Sequence, residues 1–157
     1  VSHTTNYGAQ ALTHTNYASY YYQSSQVSDM QVSGEFSVQN SSDASYLLAA
    51  IYFFRAAGKM FYGDSGAYQG SPPPILYLNG YGEHYFPNVP CVLTSFTHSL
   101  PNDVDYINTK TIKGGTTRVP TNSTITLGLQ PVYSRTSQTK FDHQKFASGG
   151  QLTKGFI

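Results

Sequence analysis

The residues best able to do chemistry are few and scattered. Histidines stand at positions 3, 14, 84, 98 and 143. No two have the H-x-x-x-H or H-E-x-x-H spacing that places zinc ligands on one helix face, so no metal site is expected. Asp103 and Asp105 come nearest to paired carboxylates, but they flank Val104 just after Pro101-Asn102, where turn formation and capping account for them. Glu83 and His84 are adjacent, and neighbours in a strand point to opposite faces, which excludes a dyad there. The N-G-Y-G run at 79–82 lacks the lysine and helix start of a phosphate loop. Cys91 is the single cysteine and lies in the apolar run Val89–Leu93. It reads as a small buried hydrophobe, and its solitude excludes an internal disulfide. Asn40-Ser41-Ser42 and Asn122-Ser123-Thr124 match the glycosylation pattern, which has meaning only on a secretory route. Among the C-terminal basic residues the only tyrosine is Tyr133, too sparse an aromatic set for stacking on nucleic acid. With no nucleophile–base pair to name, the expectation is a protein without catalytic residues or cofactor.

Composition directs attention from chemistry to surfaces. The 157 residues suit one domain. Charged residues are 11% of the chain, against roughly 25% in ordinary soluble domains, while tyrosine occurs 14 times and tryptophan never. A surface poor in charge and rich in tyrosine, serine, threonine and asparagine is what subunit interfaces favour. The charge is also divided. Up to Ile107, Arg55 and Lys59 face seven acids, whereas from Asn108 onward seven basic residues face only Asp142. Opposed ends suit head-to-tail contact between copies. No segment reaches the ~18 apolar residues of a membrane span. The chain opens at Val1 with no signal-peptide pattern, which allows a processed chain or a piece of a longer one.

Several elements can be placed from pattern. Val1 to Gln26 is polar and tyrosine-rich without a clean period; it reads as a loop or arm, with Tyr20–Tyr22 able to begin a strand. Met30, Val32, Phe36 and Val38 alternate with Asp29, Gln31, Ser33, Glu35 and Ser37, the period of a strand with one packed and one wet face. A helix is expected from Ala44 to Tyr62, capped by Ser41, Ser42 or Asp43 and stopped at Gly63. Leu47, Ile51 and Phe54 line one face, Ala50, Phe53, Ala57 and Phe61 an adjacent one, and Arg55 with Lys59 marks the wet side. Such a helix needs wide cover, from its own sheet and from a neighbour. Gly63–Pro74 reads as a loop. A hairpin is expected about Asn79-Gly80, between Ile75–Leu78 and Glu83–Phe86. Further strands are expected at Cys91–Leu100 and Thr124–Gln130, with Val104–Ile107 extended and Asn108–Arg118 a basic loop. The tail beyond Tyr133 is expected to order only against a partner. Five to seven strands and one helix without a βαβ rhythm make an α+β fold, mainly an antiparallel β-sandwich or barrel with one flanking helix.

The run Y-F-P-N-V-P-C-V-L-T-S-F-T-H-S-L-P-N-D-V-D-Y-I at 85–107 resembles the hallmark segment of the tail tube initiator and baseplate tail-tube cap proteins of contractile-tailed bacteriophages. Pro90, Pro101, Asn102, Asp103, Asp105 and Tyr106 carry that likeness. Upstream, Gly70–Gly82 is similar to the proline-rich loop and hairpin preceding it, and Val119–Arg135 is similar to the closing strand. The helical stretch Ala44–Gly63 also sits where those proteins place theirs. The likeness spans about residues 12–135. It implies a tail-tube-like β domain over 1–135 with its helix near 43–62, followed by a basic extension over 136–157. It further implies a structural subunit of the virion tail, assembled in the host cytoplasm. Six copies would form a ring beside other tube, baseplate hub and sheath proteins. Genomic DNA would pass through the ring without sequence-specific binding, and there would be no membrane anchor. On that reading Asp29, Gln31, Ser33, Glu35 and Ser37 line the channel, and Leu47, Ile51, Phe54, Arg55, Lys59 and Phe61 form the core and inter-subunit helix. The alternative expectation is a carbohydrate-binding β-module of a phage fibre or secreted protein, drawing on exposed tyrosines.

Overall fold

The computed structural model describes residues 1–63, 66–110 and 114–157. It is mostly antiparallel β, 42% strand and 19% helix, built on a curled half-barrel sheet. The strands are β1 (His3–Gln10), β2 (Ser19–Val27), β3 (Met30–Ser37), β4 (Leu76–Gly80), β5 (Phe86–Ser99), β6 (Tyr106–Lys110), β7 (Thr116–Pro120) and β8 (Asn122–Pro131). The helices are α1 (Ser41–Ala57), α2 (Arg135–Gln138) and α3 (His143–Ala147), followed by a 3-10 turn at Leu152–Lys154. The central sheet has the order β3-β8-β5-β4, and β1-β2 and β6-β7 form separate two-stranded sheets.

The alternation in β3 becomes register. Met30 faces Leu129, Val32 faces Leu127 and Phe36 faces Ser123 across the β3–β8 pair. Helix α1 covers this apolar side. Ala44, Leu47 and Ile51 pack with Val38, Val119 and Ile125, and Phe54 stacks on Phe96 at 5.9 Å. A second cluster joins Met30, Val89, Cys91 and Leu129, with Ile157 from the C-terminus packed against it.

The helix begins earlier and ends earlier than its composition suggests. The cap is Asn40, whose Oδ1 accepts from the Asp43 amide at 2.9 Å, while the Asp43 carboxylate accepts from the Gln39 amide at 3.2 Å. The first bond satisfies a free amide of the first turn and the second ties down the residue just ahead of the cap, so Ser41 and Ser42 fall inside the helix. At the other end Gly58 closes α1, its amide bonding to the Phe54 carbonyl. Lys59 and Phe61 therefore lie beyond the helix rather than on its faces. The Phe61 amide is instead bound by the Ser71 carbonyl, and its ring approaches Tyr68 at 6.0 Å.

Other expectations change where polar residues make strands. The N-terminal arm is a β-hairpin, with β1 paired to β2 from His3↔Val27 to Gln10↔Ser19. Nearly all of Asn108–Arg118 that is described lies in the β6–β7 hairpin, with Asn108 opposite Arg118; Thr111, Ile112 and Lys113 fall outside the described residues. The β4–β5 turn is not at Asn79-Gly80. Gly80 pairs with Phe86, and the positive φ values fall on Tyr81 (57°) and Gly82 (86°). Asn79 is used differently, its Oδ1 accepting from the Asn88 amide at 2.8 Å.

The C-terminal segment packs on its own chain. Asp142 caps α3 through the Gln144 and Lys145 amides. Buried Gln151 donates to the Lys140 carbonyl at 2.8 Å and accepts from the Asp142 amide at 3.0 Å. Tyr133 stacks on Phe156 and donates to the Gly155 carbonyl at 3.0 Å. Gly155 has φ 78°, and a Cβ there would meet the Asn88 carbonyl oxygen at 2.7 Å, so only glycine fits this approach to β5. The tail thus needs no second molecule to take this arrangement. Polar composition concealed the phenylalanines that anchor it.

Candidate functional site: the hydroxyl face of the central sheet

Opposite the helix, the central sheet presents a continuous polar face. In β3 it consists of Gln31, Ser33, Glu35 and Ser37, all exposed, with exposed Asp29 just before the strand. These are the five residues singled out from alternation, and the fold places them on one side. The register extends the face across three strands. Ser33 lies opposite Thr126, which lies opposite Thr97; Glu35 lies opposite Thr124, which lies opposite Ser99. Ser33 Oγ and Thr126 Oγ1 are 3.1 Å apart and hydrogen-bonded. At Gly128 a Cβ would collide with Ser95 Oγ, so the missing side chain lets two hydroxyl-bearing positions crowd together.

The electrostatics of this face are simple. Strands β3, β4, β5 and β8 contain no lysine or arginine, and Glu35 is their one charged side chain. A surface of neutral hydroxyls with acidic groups at one margin offers phosphates no counter-charge. The β3 row is legible in the sequence, whereas its continuation through Thr97, Ser99, Thr124 and Thr126 is set by strand register. Ser95 and Thr97 do alternate with Phe96 and His98, so period two was available as a signal in β5.

The edges of the sheet complete the site. Strands β3 and β4 are its two margins, each paired on one side only. At the β3 margin Val32 stands on the apolar side yet is 40% exposed. At the β4 margin an apolar groove of about 350 Å³ is lined by Phe53, Phe54, Leu76, Leu78, Leu127 and Leu129 among others. Helix α1 buries Leu47 and Ile51, half-buries Phe54, and leaves Tyr46, Tyr52, Phe53 and Arg55 exposed. Its own chain therefore covers one side of it.

The remaining sequence candidates are dispersed. Pro90 is in β5; Pro101, Asn102 and Asp103 form the turn after it; Tyr106 is exposed in β6. Asp105 contributes its carbonyl to the Thr121 amide at 2.8 Å, a structural bond joining β6 to the β7–β8 corner. His3, His14, His84, His98 and His143 lie on different segments, and among the described residues no three metal-binding side chains cluster. His98 faces the helix side; its Nε2 is buried without a hydrogen-bond partner among the described residues, and burial followed by nearby Arg55 holds its pKa below the ordinary 6.5. Burial pushes the Cys91 thiol up to about 11, consistent with a packing role. Among the described residues no helix is long and apolar enough to cross a membrane. Comparison with models of protein families, with curated proteins and with solved structures returns no match to this chain.

Proposed function

We propose that the protein is a structural, non-enzymatic subunit that closes with copies of itself into a ring of the tail tube or baseplate of a contractile-tailed phage. The observation that carries this reading is the pair of unmatched sheet margins. One edge offers Val32 on the apolar side and the other a groove of apolar side chains, both bordering one curled sheet. Joining β3 of one copy to β4 of the next removes both free edges, which are otherwise sites of uncontrolled association. It also continues the hydroxyl face from copy to copy around a channel. Asp29 and Glu35 then repel phosphates, and the absence of cations from the sheet keeps DNA from adhering as it passes. The phage setting rests on the resemblance of residues 85–107 and their flanks.

The test is charge reversal on the proposed lining, Asp29→Lys with Glu35→Lys. Both side chains are exposed, so folding and ring formation are expected to survive while DNA passage and infectivity fall. Unchanged infectivity removes these residues from the channel. A second reading, a carbohydrate-binding module, draws on Tyr81, Tyr85 and Phe86, which touch one another at the β4–β5 turn beside Glu83 and Asn88. Specific binding on a glycan array, by a chain that never assembles, would favour that alternative.

A further inference from the structure

The base of the N-terminal hairpin and the C-terminal segment enclose a cleft of about 620 Å³. That volume falls within the roughly 300–1,000 Å³ of small-molecule sites. Its two walls differ in chemistry. One wall is the hairpin, where His3 pairs with Val27 and Thr5 with Ser25. Alternation along the strands puts these four on one face, so an imidazole and two exposed hydroxyls stand together there. The other wall is aromatic, formed by Phe141, Phe146 and Phe156.

The aromatic wall is held in place by its own chain. Phe156 stacks on Tyr133, whose hydroxyl donates to the Gly155 carbonyl. Phe141 meets Phe146 at 5.3 Å and Phe156 at 5.4 Å, yet keeps 44% of its surface open, enough to receive a stacked ring. Gln130 and Gln138 border the same cleft. Their amide nitrogens donate to the Val27 and Tyr133 carbonyls, so each amide oxygen remains an acceptor. Among the described residues no lysine, arginine, aspartate or glutamate lines the cleft.

This lining selects its ligand. A phosphorylated or carboxylated molecule finds no counter-charge. A wholly apolar one would strip water from the Thr5 and Ser25 hydroxyls and return no hydrogen bond. A ring with an apolar C–H face and a rim of hydroxyls satisfies both walls at once. We infer that the cleft binds a neutral saccharide, one pyranose ring lying on Phe141 with its hydroxyls bonded to Thr5, Ser25 and His3. The cleft shares no residue with the one at the β4–β5 turn. It is complete in one copy, so it stands whether or not the ring forms.

The test titrates the isotope-labelled full-length chain with lactose, maltose, cellobiose and chitobiose, following aromatic-ring resonances. Expected is saturable binding of at least one sugar, with a Kd of about 1 mM or tighter and shifts on Phe141 and Phe146. Thr5→Val with Ser25→Ala alters two exposed positions, so circular dichroism should be unchanged while binding weakens about tenfold or more. Phe141→Ala should weaken it by about tenfold through loss of the stacking ring. Tyr81→Ser with Tyr85→Ser should leave it unaltered. Shifts confined to Tyr81 and Tyr85, or no binding of any of these sugars, would overturn the site. Tighter binding of sialyllactose, or equal ring shifts with benzyl alcohol, would overturn the neutral saccharide as its ligand.

Discussion

Replacing Val32 by aspartate separates folding from assembly. Val32 sits at the open β3 margin, 40% exposed, on the same side as buried Met30. Full burial of a valine contributes about 1.5–3 kcal/mol, so covering the exposed fraction by a neighbour contributes about 0.6–1.2 kcal/mol per contact. Aspartate forfeits that and places a carboxylate in the contact, at an effective cost of several kcal/mol once desolvated. Each contact should weaken by more than about a hundredfold, since every 1.4 kcal/mol is a factor of about ten. In a dilute single copy the carboxylate keeps its water. The cost there is the burial Val32 already has in one copy, about 0.9–1.8 kcal/mol, with a strand-propensity change of about 1 kcal/mol or less, a Tm shift of roughly 4–10 °C. Sedimentation velocity across a concentration series, paired with thermal unfolding of the dilute protein, reads both quantities. V32D should be folded and monomeric, with V32I assembling as the unaltered chain does. Rings of V32D at the ordinary concentration would refute the placement of β3 at a subunit junction.

Three further outcomes follow from the packing. Leu47 is 1% exposed at the centre of the helix–sheet core, so Leu47→Ala should lower unfolding free energy by about 2–5 kcal/mol in urea titrations. His98 has a folded pKa below its unfolded value of about 6.5, so its contribution to stability is fully present above pH ~6.5 and declines as pH falls toward the folded pKa. His98→Gln should flatten that part of the stability-versus-pH curve; an unchanged slope would assign it to other groups. Cys91, with its thiol held at about 11 in an apolar cluster, should resist disulfide reagents at pH 8 and react on unfolding. Fast labelling of the folded chain would contradict that burial.

The parts of the fold legible from sequence were those where polarity alternates along a single strand or helix face. Met30 to Val38 declared both its faces, and Leu47 and Ile51 declared the buried side of α1. What escaped depended on polar residues whose local preference is weak. Strands β1, β6 and β7 are made largely of Thr, Asn, Gln, Tyr and Lys, and pairing across the hairpin rather than propensity makes them strands. The same holds at the helix start, where Asn40 outcompeted three neighbouring candidates because its side chain reaches the Asp43 amide. In the site, the β3 row was visible alone. Its extension into Thr126 and Thr97 depended on register, which long-range pairing sets. The C-terminal tail reads as ordering only against a partner because its anchors, Phe141, Phe146, Phe156 and Ile157, are spread among polar residues.

The central claim is that one copy leaves surfaces that only another copy covers. Electron microscopy of the purified full chain, over a concentration series followed by sedimentation, tests it most directly. The account predicts annular particles with an open centre whose fraction grows with concentration. A chain that stays monomeric at its highest attainable concentration, with Val32 and the groove beside β4 still exposed to solvent, would contradict it.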